Sequence, residues 1–524
     1  MTANPLFEAN IAALRPRDSA LADDILKAAG ADDPSAFRYS AAQRARNGSL
    51  VPLFRDGASA HSLFNPEREA AQLIDTVADT GFALFAGIGG AFHIREFLSR
   101  DPARACIAAE SSPLALASLF GLIDLTDVLT DVRVTVIALR DEKETGAILS
   151  RSYLPALHGN FRLVPLRSWQ GRNGDACASL VSVVQESLKR ISADFSVQAH
   201  FGKLWLRNCA QNLALASRFQ GRFPAVDTGK KAIVIAAGPG LEPCLRRLKE
   251  NRERYALFST DTAWNTLADS GIIPDFFVSI DAQPISANHV MRPFKQGMTV
   301  ILDACGNPAI ARKAIADGAA VIFAAGAHPL ARYAARYSPL PPIDTASGTV
   351  TLAALDAAHS LGFRDIETIG ADFAYTGGKP YARGTYLAHG FGSTASRILP
   401  IETSYTALMF RTPVAARSSG GSITYTTDTL DRYASFFKAY RGQYRWEAAD
   451  FAPFPVRAFL GEYRRALTNA LRAGFPFPER DQDLLYTVLP FVAWHARHRL
   501  GEQKGLASAI QLALELIAGY TGES

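Results

Sequence analysis

The segment IVIAAGPGLEPCLRRL carries a buried-strand pattern into Gly238, Pro239 and Gly240 and then opens a helix pattern. Glycines let backbone approach an anion closely. The N–H groups at a helix start, reinforced by the helix dipole, point at that anion, so the turn could receive a phosphate. An ordinary tight strand-to-helix turn uses the same residues. Three carboxylates sharpen the signal: Asp261 ends FSTD and is followed by Thr262, Asp281 ends FVSID, and Asp372 follows DIETIGA. Gathered on one sheet edge, such groups could bind ribose hydroxyls, hold a divalent ion or take a proton from an acceptor. A single Asp at a strand end more often caps a helix or forms a turn.

Two further segments offer polar chemistry. Ser347, Gly348 and Thr349 precede the apolar pattern TVTLAALDAAHSLGF, where they are either an anion or base site or simply an N-cap. The Gly-rich stretch IGADFAYTGGKPYARGTYLAHG places Asp372, Tyr375, Lys379, Tyr381, Tyr386 and His389 on a loop after a strand, and such loops commonly carry catalytic groups. His389 could be a general base or a phosphate-facing imidazolium. It is also one of 10 histidines and readable as an incidental loop residue.

The elements that must position these residues alternate. KAIVIAA, ALFSTD, DFFVSID, MTVILDA, AVIFAA and DIETIGAD read as strands separated by helix patterns, which predicts a parallel α/β sheet domain over 230–423. Ligands of open parallel sheets bind beyond the carboxyl ends of the strands, so the glycine turn and the three carboxylates are expected to converge there. A smaller series, GFALFAG, ARACIAAES, DVRVTVIAL and FRLVPL, predicts a Rossmann-like α/β domain over 81–177, preceded by a helical and irregular cap at 1–80. Helical spacing from Ala178 to Ser217 predicts one or two long helices within a bridge and linker at 178–229, and three-to-four-residue periods predict a helical domain at 424–524. The smaller domain has its own lure, LFAGIGGAFHIREFL followed by CIAAE. A Gly-rich turn and then Glu110, which would bind ribose hydroxyls, resembles an S-adenosylmethionine methyltransferase, but no companion methyl-transfer motif is evident, and a degenerate Rossmann-like unit used for packing is the favoured reading.

Composition bounds the remaining classes. The 524 residues suggest about three domains, and 48% hydrophobic residues with 31 Phe, 16 Tyr and 5 Trp can support buried cores. A net charge of +5 without a dense Lys/Arg tract gives no footprint for nucleic acid. The apolar runs at 232–237, 320–325 and 484–494 are too short to span a bilayer, and the first residues lack the pattern of a signal peptide, so a cytoplasmic protein is expected. Five scattered cysteines without CxxC spacing predict reduced, mostly buried thiols rather than disulfides or a zinc site.

AAGPGLEPCL, STDTAWNTLADSGIIPDFFVSIDAQP and IGADFAYTGGKPYARGT together resemble the domain shared by motility-associated-factor (Maf) flagellin glycosyltransferases and the archaeal 6-hydroxymethylpterin diphosphokinase MptE-like proteins. LFEANIAAL, SLFNPEREAAQLI and FAGIGGAFHIREFL are similar to the Maf N-terminal region, and TYTTDTLDRY to the segment leading into its C-terminal helices. The resemblance implies a sialyltransferase-like central domain and a transferase that moves a nonulosonic acid of the pseudaminic or legionaminic type from its CMP-activated form to Ser or Thr of flagellin, supporting motility. It implies that Gly238 and Pro239 receive nucleotide phosphate, and that Asp261, Asp281, Ser347, Gly348 and Asp372 surround the donor. The family turn often reads Gly-Pro-Ser, and Gly240 here lacks that hydroxyl.

The chemistry implied is displacement at the anomeric carbon, with CMP leaving and Asp372 or His389 accepting the proton. No cofactor is required for it. The competing class is an ATP pyrophosphokinase of the pterin type, with Asp261 and Asp281 holding Mg²⁺. A flagellin-binding scaffold without turnover is the third.

Overall fold

The computed structural model describes residues 4–30, 37–419, 422–473, 482–498 and 505–520. The chain forms two compact units, one built mainly from Met1–His200 and the other mainly from Phe201–Arg472.

The first unit opens with helices Pro5–Leu14 and Ser19–Ala29 and an antiparallel hairpin, β1 (Tyr39–Arg44) and β2 (Leu50–Phe54). A parallel sheet follows, of β3 (Phe82–Ala86), β4 (Ala105–Glu110), β5 (Val134–Ala138) and β6 (Phe161–Pro165), in the spatial order β5-β4-β3-β6. Every residue of β3 is buried, as a strand covered on both faces requires. The hairpin falls in a region read from sequence as helical and irregular. That region shares the sheet's core: Ile11, Leu14, Tyr39 and Phe54 lie in one apolar cluster with Phe85 and Ile94. The buried Asn10 side chain donates to the carbonyls of Phe120 and Ile123 at 2.9 and 2.8 Å, tying the first helix down.

In the second unit all six expected strands form one parallel sheet. They are β7 (Lys231–Ile235), β8 (Tyr255–Thr260), β9 (Phe276–Ser279), β10 (Thr299–Asp303), β11 (Ala320–Ala324) and β12 (Ile366–Ile369), in the order β11-β10-β9-β8-β7-β12. The chain steps outward from β7 to β11, then returns to pair β12 on the other side of β7. The switch point therefore lies between β7 and β12, and the crevice beyond their carboxyl ends is where this architecture takes ligands. Helix Val350–Ser360, with nine buried residues, packs over the sheet around Val234, Phe258 and Val278. A hairpin of β13 (Ala415–Ser419) and β14 (Ser422–Thr426) and helices Asp428–Ala439, Val456–Ala473, Gln482–His498 and Leu506–Ala518 complete the chain.

One helix of 46 residues, Gly174–Phe219, occupies the segment read as one or two helices. Its second half is fixed at two levels. A side chain at Gly202 would place Cβ 1.7 Å from the Pro490 carbonyl oxygen, so only glycine allows that approach. One and a half turns on, the buried Asn208 donates to the carbonyls of Ala282 and Cys305, and Asn212 to those of Ala304 and Gly306. These carbonyls belong to the loops after β9 and β10.

Candidate functional site

The glycine turn after β7 does not open an α-helix directly. Pro239–Cys244 form a 3-10 helix, and regular α-helix covers only Leu245–Glu250. Pro243 is the reason: without an N–H it cannot bond back four residues, so the turn tightens. This corrects the helix expected straight after the glycines. The amides of the turn are engaged within the protein. Gly238 donates to the Gly370 carbonyl at 2.8 Å and Leu241 to the Gly238 carbonyl at 3.0 Å, while Pro239 has no N–H. Gly240 donates to both Asp372 oxygens, at 3.2 and 3.1 Å.

Asp372 thus sits over the turn. A Cβ on Gly238 would lie 2.0 Å from its Oδ2, and one on Gly240 would lie 2.8 Å from its Oδ1. The two glycines make room for this carboxylate. Half-burial raises the pKa of Asp372, with the Gly240 amide working in the opposite direction.

Asp261 follows β8 and is buried. Its Oδ1 accepts from the Thr262 amide and hydroxyl at 2.7 and 3.0 Å, and its Oδ2 from the Ser279 hydroxyl at 2.7 Å. Asp281, beyond β9, accepts from the Gln283 amide at 2.9 Å. Its pKa is raised by burial first and also by the nearby Asp261 charge, with His289 pulling the other way. His289 lies in the 3-10 helix Pro284–Val290, and its ring packs edge-on against Tyr386 with centroids 4.6 Å apart. The buried His289 Nδ1 has no hydrogen-bond partner. Burial, and then Asp281, raise the pKa of Tyr386. Asp281 therefore lies within electrostatic reach of Asp261, His289 and Tyr386.

Asn307 holds the loop that carries Asp281 and His289. Its amide donates to the Asp281 carbonyl at 2.9 Å, and its side chain donates to the carbonyls of Gln283 and Pro284.

His389, on the helix Tyr386–Thr394, makes a contact of its own. Its side chain is 45% exposed and pairs through Nε2 with Asp269 at 3.4 Å, an acid also bound by Arg292. It lines a cleft of about 290 Å³ with Lys379, Arg383, Glu402 and Tyr405. The turn at Ser347 and Thr349 is held locally: Gly348 has φ +72°, Ser347 accepts from the Thr349 amide at 3.3 Å, and Thr349 makes no capping bond. Among the described residues, no hydrogen bond joins that turn to the three carboxylates. Tyr375 pairs by main chain with Tyr425 at 2.7 and 3.1 Å, and the partly buried Tyr381 lies near Tyr375 and Tyr386.

Sequence reasoning passed over His289 and Asp303. The latter ends β10, is buried, and accepts from the Cys305 amide at 2.6 Å; burial pushes its pKa up to about 6. A strand-end Asp was the available signal for Asp303. His289 lies in a short 3-10 segment whose sequence carries no apolar period.

Asp261 accepts from three protein donors and Asp281 from the Gln283 amide, and among the described residues no group of three or more His, Cys, Asp or Glu side chains is arranged to hold a metal.

The corresponding turn of the first unit is filled by its own side chains. Glu110 accepts from Trp169 Nε1 at 2.6 Å, the Ser111 amide at 2.8 Å, the Tyr39 hydroxyl at 2.9 Å and the Ile88 amide at 3.3 Å. His61 Nε2 accepts the Gly90 amide at 2.9 Å, and a Cβ on Gly87 would meet Trp169 at 2.6 Å. Ribose and phosphate positions of a nucleoside site are both occupied here.

The family model described as 6-hydroxymethylpterin diphosphokinase MptE-like matches residues 203–378. The chain is 39% identical over 234 residues to an uncharacterized protein of Treponema pallidum (strain Nichols), covering 44% of this chain and 80% of that one. The chain belongs to the MptE-like family. A second uncharacterized protein of that organism is 36% identical over 174 residues, covering 33% of this chain and 83% of that one. The solved structure of the Maf glycosyltransferase from Magnetospirillum magneticum AMB-1 has the same fold, with a TM-score of 0.54 at 13% identity over 98% of this chain and 90% of that one. This MptE-like chain thus joins the family domain to the wider Maf fold. No helix among its described residues is long and apolar enough to cross a membrane.

Proposed function

We propose that the protein is a glycosyltransferase that moves a nonulosonic acid from a CMP-activated donor to a Ser or Thr hydroxyl of flagellin. The observation that carries this reading is the grouping of Asp261, Asp281, His289 and Tyr386 beyond the carboxyl ends of β8 and β9, in a fold shared along nearly the whole chain with a Maf glycosyltransferase. The acceptor oxygen attacks the anomeric carbon, the bond to the CMP phosphate oxygen breaks, and the hydroxyl proton passes to a base. His289 takes that role in place of His389. Its ring lies within electrostatic reach of the Asp281 carboxylate. Tyr386 fixes the ring edge-on. Ser347, Gly348, Tyr375 and Tyr381 border the donor in this reading.

The test is incubation with flagellin and a CMP-nonulosonate, read by intact mass. A mass gain of one sugar residue per modified site supports the reading. The family description favours a second one, diphosphoryl transfer from ATP to a hydroxymethylpterin. A pterin diphosphate product without sugar transfer would establish it, and flagellin capture without either product would indicate a scaffold.

A further inference from the structure

We propose that the ligand-binding group at the switch point is the Asp372 carboxylate rather than the glycine turn beneath it, and that it binds a vicinal diol of the donor. The choice of donor rests on the glycosyl-transfer reading above; the diol chemistry rests on the geometry of the turn.

A phosphate needs open N–H groups, and residues 238–241 offer none. Gly238 and Leu241 donate to main-chain carbonyls, Pro239 has no N–H, and Gly240 donates to Asp372. The missing side chains at 238 and 240 are accounted for by the carboxylate, whose oxygens lie 2.0 and 2.8 Å from where those Cβ atoms would be. A phosphate brought to this point meets a like charge. A hydroxyl meets an acceptor.

The carboxylate is held as an acceptor. Among the described residues it accepts only from the Gly240 amide and its own backbone N–H, so lone pairs on both oxygens remain for a ligand. Its backbone is fixed by left-handed residues on either side, Gly370 at φ +70° and Phe373 at φ +46°. Non-glycine residues rarely adopt that conformation, and Phe373 is kept there while its ring packs on Phe437 with centroids 5.5 Å apart. Two fixed oxygens side by side match two adjacent hydroxyls. Asp372 is reached from β12 and Asp281 from β9, three strand spacings along the sheet edge, or roughly 14 Å at about 4.8 Å each. That separation places the diol contact away from the transfer chemistry. The diol is that of the nucleotide ribose or one on the transferred sugar.

Calorimetric titration of the full chain with CMP, 2′-deoxy-CMP, the CMP-sugar, ATP and inorganic pyrophosphate separates the outcomes. For a ribose diol, wild type binds CMP at least about tenfold tighter than 2′-deoxy-CMP, the worth of one hydrogen bond to a charged group. Asp372→Asn and Asp372→Ser then bring the two within about twofold of each other. If CMP and 2′-deoxy-CMP bind alike while Asp372→Asn weakens the CMP-sugar alone, the diol is on the sugar. Should either variant misfold, the wild-type ribose comparison still decides. Equal binding of CMP, 2′-deoxy-CMP and the CMP-sugar by wild type and Asp372→Asn overturns the diol contact and leaves glycosyl transfer standing. Tighter pyrophosphate binding by Asp372→Asn overturns it in favour of a guarded phosphate site. ATP binding without CMP binding removes the sugar-transfer reading, and a ribose preference lost in Asp372→Asn would keep the diol contact. Failure of every nucleotide to bind removes both.

Discussion

The Gly240 amide and the Asp372 carboxylate meet across 132 residues of chain, at 3.2 and 3.1 Å. This contact closes the turn after β7 from above and links the first and last strands of the sheet at its switch point.

Gly238→Ala should not be absorbed locally. The new methyl would sit 2.0 Å from Asp372 Oδ2 and 2.5 Å from the Gly370 carbonyl, and the latter is backbone. Overpacking of this kind costs about 1–3 kcal/mol. Denaturant unfolding should show the loss, and nucleotide binding should weaken with it. Gly348→Ala meets no neighbour within 4 Å and should cost only the left-handed backbone penalty, about 1 kcal/mol.

His289→Ala should reduce sugar transfer about 10²–10⁴-fold, as expected for loss of a general base. His389→Ala should leave the rate within a few-fold of wild type, because its ring pairs with Asp269 on the exposed side of its helix. Single-turnover rates on flagellin with matched circular dichroism distinguish the two. Equal losses would return the base to the 386–394 helix.

Asp261→Asn should lower the Asp281 pKa. Burial is the larger cause of its elevation and persists in the variant, so the fall is partial. Carbon-13 NMR of the labelled carboxyl measures it directly, and an unchanged titration would separate the two acids.

Asp303 links stability to pH. Its folded pKa, about 6, lies above the ordinary 3.8, so the stability it contributes is complete below about pH 4 and is lost as pH rises through 6. The shift corresponds to an effect on the order of 3 kcal/mol. Asp303→Asn should remove that slope from the unfolding free energy. Denaturant melts between about pH 4 and 7 would show it.

Trp169→Phe leaves Glu110 without its indole donor in a fully buried position. A lost hydrogen bond to a buried carboxylate costs about 1–3 kcal/mol. S-adenosylmethionine should not raise the melting midpoint of wild type, since Trp169, His61 and Tyr39 occupy the site such a ligand would need. A reproducible rise abolished by Glu110→Ala would reopen that unit as a binding domain.

Both parallel sheets were legible because their strands, buried on two faces, are near-continuous apolar runs such as KAIVI and FALFA. The carboxylates at strand ends were legible for a related reason: a charge directly after such a run marks the sheet edge. The meaning of the glycine turn was not legible. Its partner, Asp372, lies far along the chain, and a glycine vacated for a side chain looks the same in sequence as one vacated for a phosphate. His289 escaped for want of any periodicity around it, whereas His389 drew attention from its Gly-rich neighbourhood. The hairpin at 39–54 escaped because β1 exposes much of its length and has no apolar run.

The second half of the long helix behaves as a ruler. Gly202 is pressed against the Pro490 backbone, and Asn208 and Asn212 hand their amides to the loops after β9 and β10. A residue inserted or deleted between these marks turns one relative to the other by about 100°. Packing of the buried Leu206 and of Trp205 against His328 holds the stretch between the marks, and a change of its length by one would displace both, so the spacing between Gly202 and Asn208 sets the placement of Asp281.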